Sequence, residues 1–412
     1  MAFLVEKGTF TKRTTVGTDV ITHSMSDTPD ILILWTTAQT AAGFDAHYIY
    51  SIGYSDATRH KAVSMVSEDA QTMSDTSKRF SDTKCIHIFT ANGATEAEAD
   101  ISAVSSTNFT VNWTANGGGA DIIHYMIFAG SDITTFEVGQ FTANTITGNQ
   151  VVPHTNSPSG GYDIYMFLSV DSSTTNITNT GCLGVGFATG PANEAAMFVN
   201  SEHNRGTSDT FRFQREDRCI VQLVGDTGAI DAEAEFISKQ TADFTINWID
   251  APASADLMAF MGIKGGQHHV NNFTEPGITG TQDITDAGFT TKGYMLASYC
   301  FLFRTTPQNR NIISFGGTDG TTEGVLSARD HDGVGTTQAT TNESTADVFR
   351  IIDFGTDTIT DEANHSALLS NGFRINWTDI GTTTEIFYWT FGSEAAPPAR
   401  RRFPQKPINL RY

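Results

Sequence analysis

Carboxylates recur at two positions of this 412-residue chain, and paired carboxylates are the groups with which many hydrolases cleave glycosidic bonds. The members of the two sets are Glu68, Glu202 and Asp330 at the first position, and Glu98, Glu233 and Glu362 at the second. Three divergent copies of one active site in a single chain would be unusual, and no substrate-cleft signature lies nearby. We therefore expect local roles for these acids, such as accepting backbone N–H groups at a turn or pairing across an interface.

Other residues that could bind a metal or take part in catalysis do not have the spacing that such sites require. His268 and His269 could be grouped with His124 or His203 as metal ligands, but adjacent residues of an extended chain point to opposite sides. The stretch 330–333, Asp-His-Asp-Gly, has the composition of a calcium loop without its twelve-residue ligand spacing. Nucleophile elbows, phosphate loops and dinucleotide fingerprints are missing from the sequence. The sequence predicts no enzyme activity, no cofactor and no metal site.

The second set of acids precedes a stretch that occurs three times. It reads Phe-Thr-Val-Asn-Trp at 109–113, Phe-Thr-Ile-Asn-Trp at 244–248 and Phe-Arg-Ile-Asn-Trp at 373–377, at intervals of roughly 130 residues. Side chains alternate between the two faces of a strand, so the aromatic and aliphatic members share one face. We expect that face to be core, formed by Phe109, Val111, Trp113, Phe244, Ile246, Trp248, Phe373, Ile375 and Trp377.

The spacing of this motif predicts three tandem units, at 1–133, 134–266 and 267–394, followed by an arm at 395–412. Each unit opens with a strand–turn–strand signal. A short apolar run follows, which in the first unit is Ile31–Trp35 and predicts a strand buried on both faces. Seven or eight short strands per unit, without an amphipathic helix, predict an all-β fold. We expect three antiparallel, jelly-roll-like β-sandwiches.

Charge and cysteine usage exclude several classes of partner. The chain has 46 acidic and 25 basic residues, a net charge of -21, which would repel nucleic acid. No apolar stretch approaches the roughly 18 residues of a membrane span, and residues 1–7 lack the features of a signal peptide. Cys85, Cys219 and Val348 occupy equivalent places, which predicts a small buried apolar position rather than a disulfide or metal site.

The last segment differs in kind from the rest of the chain. Residues 395–412 are rich in proline and contain no acid; their basic residues are Arg400, Arg401, Arg402, Lys406 and Arg411. Such a segment has no core to join and is expected to be extended. Two interpretations stay open: a solvated end, or an arm that orders against an acidic surface of its own body or of a neighbour.

The three units resemble tandem repeats in predicted virion proteins of tailed bacteriophages. The resemblance covers roughly residues 5–394 and rests on the Gly-x-Phe-Thr opening, the Thr-Gly-Asn-Gln turn at 147–150 and the closing Phe-Thr-x-Asn-Trp motif. In the first two units Asn108 and Asp243 replace the glycine that precedes the motif in those repeats. A weaker similarity is to H-type lectin domains, small sandwiches that assemble as trimers. Together these resemblances imply three fused sandwiches arranged with pseudo-threefold symmetry.

The resemblance implies a non-enzymatic structural protein of a phage virion, made in the host cytoplasm and displayed on the particle surface. Capsid decoration is preferred over a tail position, and the basic arm would anchor the protein to other virion proteins. The alternative is a carbohydrate-binding adhesin, a receptor-binding tail protein that recognises a host-surface glycan. It predicts an exposed aromatic residue beside carboxylate or amide groups. A glycan hydrolase would instead need two carboxylates facing each other across a cleft.

Overall fold

The computed structural model describes residues 3–393 except 226, 301, 303–304, 354 and 382. Within this part of the chain the regular structure is entirely β, and all strand pairs are antiparallel. No helix able to span a membrane was found among these residues. The predicted arm at 395–412, with Arg400, Arg401, Arg402, Lys406 and Arg411, lies outside the described residues.

Among the described residues, each third of the chain contains eleven strands, more than the seven or eight expected. The first third contains β1 (Leu4–Thr11), β2 (Gly17–Thr22), β3 (Ile31–Thr36), β4 (Gly43–Ala46), β5 (Tyr48–Ser55), β6 (His60–Ser67), β7 (Thr76–Ser81), β8 (Ile86–Phe89), β9 (Thr95–Val104), β10 (Asn108–Ala115) and β11 (Ile122–Ala129).

The second and third parts of the chain repeat this order. The second contains β12 (Thr135–Thr142), β13 (Gly148–Pro153), β14 (Ile164–Ser169), β15 (Thr178–Asn179), β16 (Gly181–Gly190), β17 (Asn193–Ser201), β18 (Thr210–Arg215), β19 (Ile220–Leu223), β20 (Ile230–Lys239), β21 (Asp243–Asp250) and β22 (Leu257–Lys264). The third contains β23 (Gln267–Thr274), β24 (Gly280–Ile284), β25 (Thr291–Ser298), β26 (Gln308–Asn309), β27 (Asn311–Thr318), β28 (Glu323–Asp330), β29 (Ala339–Ser344), β30 (Phe349–Ile352), β31 (Ile359–Leu369), β32 (Gly372–Asp379) and β33 (Glu385–Gly392).

These strands form three sandwiches, each made of a seven-stranded and a four-stranded sheet. In the first sandwich the orders are β1-β11-β3-β5-β6-β7-β15 and β2-β10-β9-β8. The second has β12-β22-β14-β16-β17-β18-β26 and β13-β21-β20-β19, and the third has β23-β33-β25-β27-β28-β29-β4 and β24-β32-β31-β30. The strand order is therefore the same in all three.

The seventh strand of each large sheet comes from another third of the chain. Strand β15 pairs with β7, β26 pairs with β18, and β4 pairs with β29. A strand from the second part of the chain thus completes the first sandwich. A strand from the third part completes the second sandwich, and a strand from the first part completes the third sandwich. Pairing with an exchanged strand covers backbone groups that would otherwise form an open sheet edge.

Each large sheet is buried on both faces, as the apolar run at Ile31–Trp35 predicted. Along β3, Leu32 and Leu34 face the core of the first sandwich, whereas Ile31, Ile33 and Trp35 face a core shared by all three sandwiches. Burial of both faces explains why this strand is apolar throughout rather than alternating.

Aromatic rings join the sandwiches within the shared core. The Trp389 ring stacks on Phe128 of the first sandwich at 5.3 Å between centroids and lies 5.8 Å from Phe187 of the second. Trp35 contacts Phe315 of the third sandwich edge-on at 5.8 Å. Such rings each bury a large apolar area, so the sandwiches stabilise one another by the hydrophobic effect.

Candidate functional site

The repeated Phe-x-(Val/Ile)-Asn-Trp motif lies on the second strand of each four-stranded sheet. Its nine aromatic and aliphatic side chains are at most 1% exposed and are divided among the three separate sandwich cores. Each indole Nε1–H donates to a side chain on the edge strand: Trp113 to Asp19 at 2.9 Å, Trp248 to Gln150 at 2.7 Å and Trp377 to Gln282 at 2.9 Å. The hydrogen bond satisfies the one polar group of a buried tryptophan, so the motif serves the core.

The acids of the second set pair with arginines of their own sandwich. Glu233 lies 2.7 Å from an Arg215 nitrogen, and Glu362 lies 2.6 Å from an Arg350 nitrogen. Glu98 pairs with Arg79 in the same way. The arginines come from different strand positions while the acid position is constant. These are partly exposed ion pairs within a sandwich, rather than pairs across an interface.

The first set of acids was aligned incorrectly. Asp330 pairs with Ala339 in the third sandwich, as Ser67 pairs with Thr76 in the first. Asp330 is therefore the equivalent of Ser67. Ser201 has the same place in the second sandwich. Matching carboxylates by residue type therefore shifted the third unit by one residue, and a shift of one in a strand changes the face on which a side chain lies.

The residue equivalent to Glu68 and Glu202 is His331. The amides of Glu68, Glu202 and His331 donate to the carbonyls of Asp75, Asp209 and Gln338 at 2.9, 3.0 and 3.1 Å. These three residues follow directly after the strands that end at Ser67, Ser201 and Asp330. Their backbone atoms, rather than a shared carboxylate, perform the repeated role.

A buried polar cluster joins the ends of these strands from all three sandwiches. Ser67, Ser201 and Asp330 are at most 1% exposed, and both serines are close enough to the Asp330 carboxyl group to influence its pKa. The Asn311 amide donates to the Ser201 hydroxyl at 3.0 Å. Burial raises the pKa of Asp330 to about 6, and the two neighbouring serines partly oppose that shift.

A loop of each sandwich is bound to the next by one repeated set of hydrogen bonds. The Ser74 hydroxyl donates to the Glu202 carbonyl at 2.7 Å and accepts from the Arg205 amide at 2.9 Å. The Ser74 amide donates to the Arg205 carbonyl at 2.9 Å, and the Ser74 carbonyl accepts from the Asn204 amide at 2.7 Å. One serine thus makes four hydrogen bonds with a single turn of the second sandwich.

Ser208 and Thr337 repeat this set in cyclic order. Ser208 bonds in the same four ways to His331, Gly333 and Val334 of the third sandwich, with its hydroxyl 2.6 Å from the His331 carbonyl. Thr337 does so with Glu68, Ala70 and Gln71 of the first, with its hydroxyl 2.7 Å from the Glu68 carbonyl. The contacts run from the first sandwich to the second, from the second to the third and back to the first.

Charged side chains are also buried at these junctions, and sequence reasoning missed them. Lys78 of the first sandwich extends its ammonium group to 3.0 Å from Asp171 of the second. At the equivalent position of the second sandwich, Arg212 lies over the Tyr299 ring of the third at 5.7 Å, and burial lowers the pKa of Arg212 to about 10. The two cations differ in type and partner, so no repeated pattern identified them.

The histidines considered as metal ligands each have a different partner. His124 is fully buried and contacts Glu343 of the third sandwich at 2.8 Å, whereas His268 accepts a hydrogen bond from Trp389 at 3.2 Å. His269 lies 3.5 Å from Asp286 and His203 lies 3.5 Å from Asp75. Burial lowers the pKa of His124 well below its usual value and raises that of Glu343 to about 8, so the contact is best described as neutral.

A polar groove lies where β4 of the first third completes the sheet of the third sandwich. It has a volume of about 530 Å³ and is lined by Phe44, Asp69, Arg329 and Asp357, among others. Phe44 is 41% exposed, and Arg329 pairs with Asp357 at 2.9 Å. An exposed ring beside carboxylates and a guanidinium group is suited to contacts with a polar, ring-shaped ligand.

A carboxyl pair of the kind used by hydrolases is also present, but it is buried. Glu275 and Asp361 share a hydrogen bond and are 4% and 0% exposed. Because both side chains are buried, a glycan could not reach the pair.

Comparison with protein-family models and with curated proteins gave no match to this chain.

Proposed function

We propose that this protein is a non-enzymatic structural component of a phage virion, built as a pseudo-threefold body and displayed on the particle surface. Capsid decoration is preferred over a tail position. The observation that carries the proposal is the cyclic set of hydrogen bonds made by Ser74, Ser208 and Thr337, together with the core shared by the three sandwiches. Because these buried groups hold the three sandwiches together, the organisation suits a rigid surface component.

Exposed aliphatic side chains at equivalent loops support a contact function. The loop before the second strand of each sandwich carries Val16, Ile146 or Ile278, which are 59%, 75% and 78% exposed. Single exposed aliphatic residues are ordinary, but three at equivalent loop tips form a repeated apolar feature. We propose that these tips contact neighbouring virion proteins.

The basic arm supplies the second part of the proposed anchor. Residues 395–412 carry five basic residues and no acid on a chain whose net charge is -21. A neighbouring virion protein with an acidic surface would attract such a segment.

The test is to locate the protein on purified particles by immunogold labelling and to measure its copy number by quantitative mass spectrometry. Deletion of residues 400–412 should lower occupancy, and so should the triple change Val16→Ser, Ile146→Ser and Ile278→Ser. The matched control changes three aliphatic residues that are exposed outside these tips, Ile177, Ile237 and Ile249, to serine. Absence from particles, or full occupancy of both variants, would contradict the proposal.

The groove beside Phe44 favours a second candidate function, a carbohydrate-binding adhesin. Aromatic rings stack on sugar faces while carboxylates and guanidinium groups bind hydroxyls, and the groove offers all of these groups. Under this alternative, purified protein binds host-surface glycans on an array and Phe44→Ala abolishes that binding. If the protein binds no glycan on the array but is present on the capsid, the adhesin function is rejected and the decoration function is retained.

A further inference from the structure

Three carboxylates of the second sandwich meet at its junction with the first. Asp171 follows β14, Asp231 lies in β20, and Asp256 directly precedes β22. One oxygen from each lies within 4.8 Å of the others. Asp171 and Asp231 are partly exposed, so the cluster is accessible to solvent on one side.

Asp256, the buried member of this cluster, has one carboxylate oxygen without a hydrogen-bond partner. The residue is 0% exposed, and its Oδ1 accepts from the Ser254 hydroxyl. Its Oδ2 is buried without a partner in the structure. A buried carboxylate oxygen normally has a donor or a cation beside it, because water has been removed from it.

The equivalent place in the first sandwich is filled by an ammonium group. Lys12 and Ala143 are equivalent, since their amides donate to the carbonyls of Asp121 and Asp256 at 2.7 and 2.8 Å. The Lys12 nitrogen lies 3.3 Å from Asp121 and 3.9 Å from Glu96. The first sandwich therefore neutralises its acids with its own lysine.

The second sandwich keeps both acids and lacks that lysine. Asp256 replaces Asp121, Asp231 replaces Glu96, and Ala143 stands where Lys12 provides the cation. A third acid, Asp171, is added. Lys78 from the first sandwich contacts Asp171 at 3.0 Å and supplies one positive charge against three carboxylates. The ionised cluster consequently has a net charge of about -2, which a divalent cation would neutralise.

Repulsion within the cluster supports the same conclusion. Burial, together with the charges of Asp171 and Asp231, raises the pKa of Asp256 to about 7, and the Ser254 hydrogen bond opposes that shift. The pKa of Asp231 is also raised, first by burial and then by Asp171. A bound cation would relieve this repulsion and favour the ionised carboxylates.

We propose that Asp171, Asp231 and Asp256 bind one divalent cation of the calcium class. Ca²⁺–oxygen distances of about 2.3–2.6 Å place opposite ligands roughly 5 Å apart, which suits oxygens separated by up to 4.8 Å. Mg²⁺ needs about 2.1 Å and closer oxygens. Water molecules would complete the coordination. Asp171 would then contact both the ion and Lys78 of the first sandwich.

The experiment uses the full chain after dialysis against EDTA, titrated with CaCl2 by calorimetry and followed by thermal unfolding. We expect one Ca²⁺ per chain and a rise in Tm. Asp231→Asn should weaken Ca²⁺ binding by at least about tenfold, because it removes one charged ligand. Ala143→Lys should abolish both the binding heat and the Tm rise, because it places an ammonium group as in the first sandwich.

The matched control is Glu96→Gln, which changes the equivalent acid of the first sandwich and should leave the Ca²⁺ response unchanged. The proposal fails if the wild-type chain gives no heat and no Tm shift with Ca²⁺. It also fails if Ala143→Lys and Asp231→Asn both keep the wild-type response. A response to Mg²⁺ in preference to Ca²⁺ overturns the calcium assignment. Should Ala143→Lys not fold, Asp231→Asn alone decides between these outcomes.

Discussion

The Thr337 hydroxyl donates a hydrogen bond to the Glu68 carbonyl at 2.7 Å and so joins the third sandwich to the first. The same hydroxyl accepts from the Gln71 amide at 2.8 Å. With the equivalent contacts of Ser74 and Ser208, it completes a cycle around the chain. Residues far apart in sequence are therefore held as neighbours, and the contact can be tested by removing one hydroxyl.

Thr337→Val removes this hydroxyl and keeps the shape of the side chain. We expect a loss of about 1–3 kcal/mol in the free energy of unfolding, because the Glu68 carbonyl and the Gln71 amide lose their partner. Urea unfolding measures the loss, and hydrogen exchange should show faster exchange at Gln71. The adjacent exposed Thr336, changed to Val, serves as control and should alter stability by less than about 0.5 kcal/mol.

Trp248→Ala tests the core role of the repeated motif. The side chain is 1% exposed and its Nε1 donates to Gln150 at 2.7 Å. We expect a loss of about 3–5 kcal/mol in the free energy of unfolding from the cavity that remains. Ile249→Ala is the control on the same strand, since Ile249 is 44% exposed and should cost little. Equal losses for the two variants would show that the motif is not a core element.

Gly186→Ala tests a close approach between β16 of a large sheet and Cys219, which directly precedes β19 of the small sheet. A Cβ at Gly186 would lie 1.9 Å from the Cys219 carbonyl oxygen, too close without a shift of the backbone. We expect destabilisation of about 1–3 kcal/mol or more, measured by urea unfolding. Gly190 lies at the end of the same strand with no atom within 4 Å of its Cβ position, so Gly190→Ala should be tolerated. Similar stability of the two variants would contradict the structure here.

Glu275→Gln tests the buried carboxyl pair through the dependence of stability on pH. Burial, followed by the hydrogen bond and charge of Asp361, raises the pKa of Glu275 from 4.5 to about 9. The folded state keeps this proton where the unfolded state releases it. Its stabilising contribution is therefore complete below about pH 4.5 and is lost as the pH rises towards 9.

The variant has no proton to lose at this position. Its free energy of unfolding should fall less steeply than that of the wild type between pH 5 and 9, by up to about 1.4 kcal/mol per pH unit. Chemical unfolding at a series of pH values measures both slopes. Parallel curves for the two proteins would show that Glu275 does not hold a proton in the folded state.

The strand content and the core positions were accessible from sequence because they follow from local alternation. Phe109, Val111 and Trp113 lie on the same face of their strand wherever that strand is placed in the fold. The uninterrupted apolar run at Ile31–Trp35 likewise predicted a strand buried on both faces. The equivalent positions Cys85, Cys219 and Val348 are 0% exposed, as their small apolar character indicated.

Much less of the candidate site could be predicted from the sequence. Matching Asp330 with Glu68 and Glu202 by charge gave the wrong register, because only the pairing of Asp330 with Ala339 fixes which face the carboxyl occupies. A signal for the proposed cation site did exist in the sequence. The lysine at position 12 becomes Ala143 in the second unit, but without the fold nothing links that exchange to distant acids.

The sequence by itself determined an all-β chain with a motif repeated three times, an excess of acid and a basic arm, because composition and period-two alternation are local properties. Only the tertiary structure decided which sandwich receives each exchanged strand and which polar groups meet at the junctions. Ser67, Ser201 and Asp330 come together from positions roughly 130 residues apart, a proximity that local patterns do not encode. The physical reason is that a strand pattern specifies which face is buried, whereas the partner that covers that face is set by packing of the whole chain.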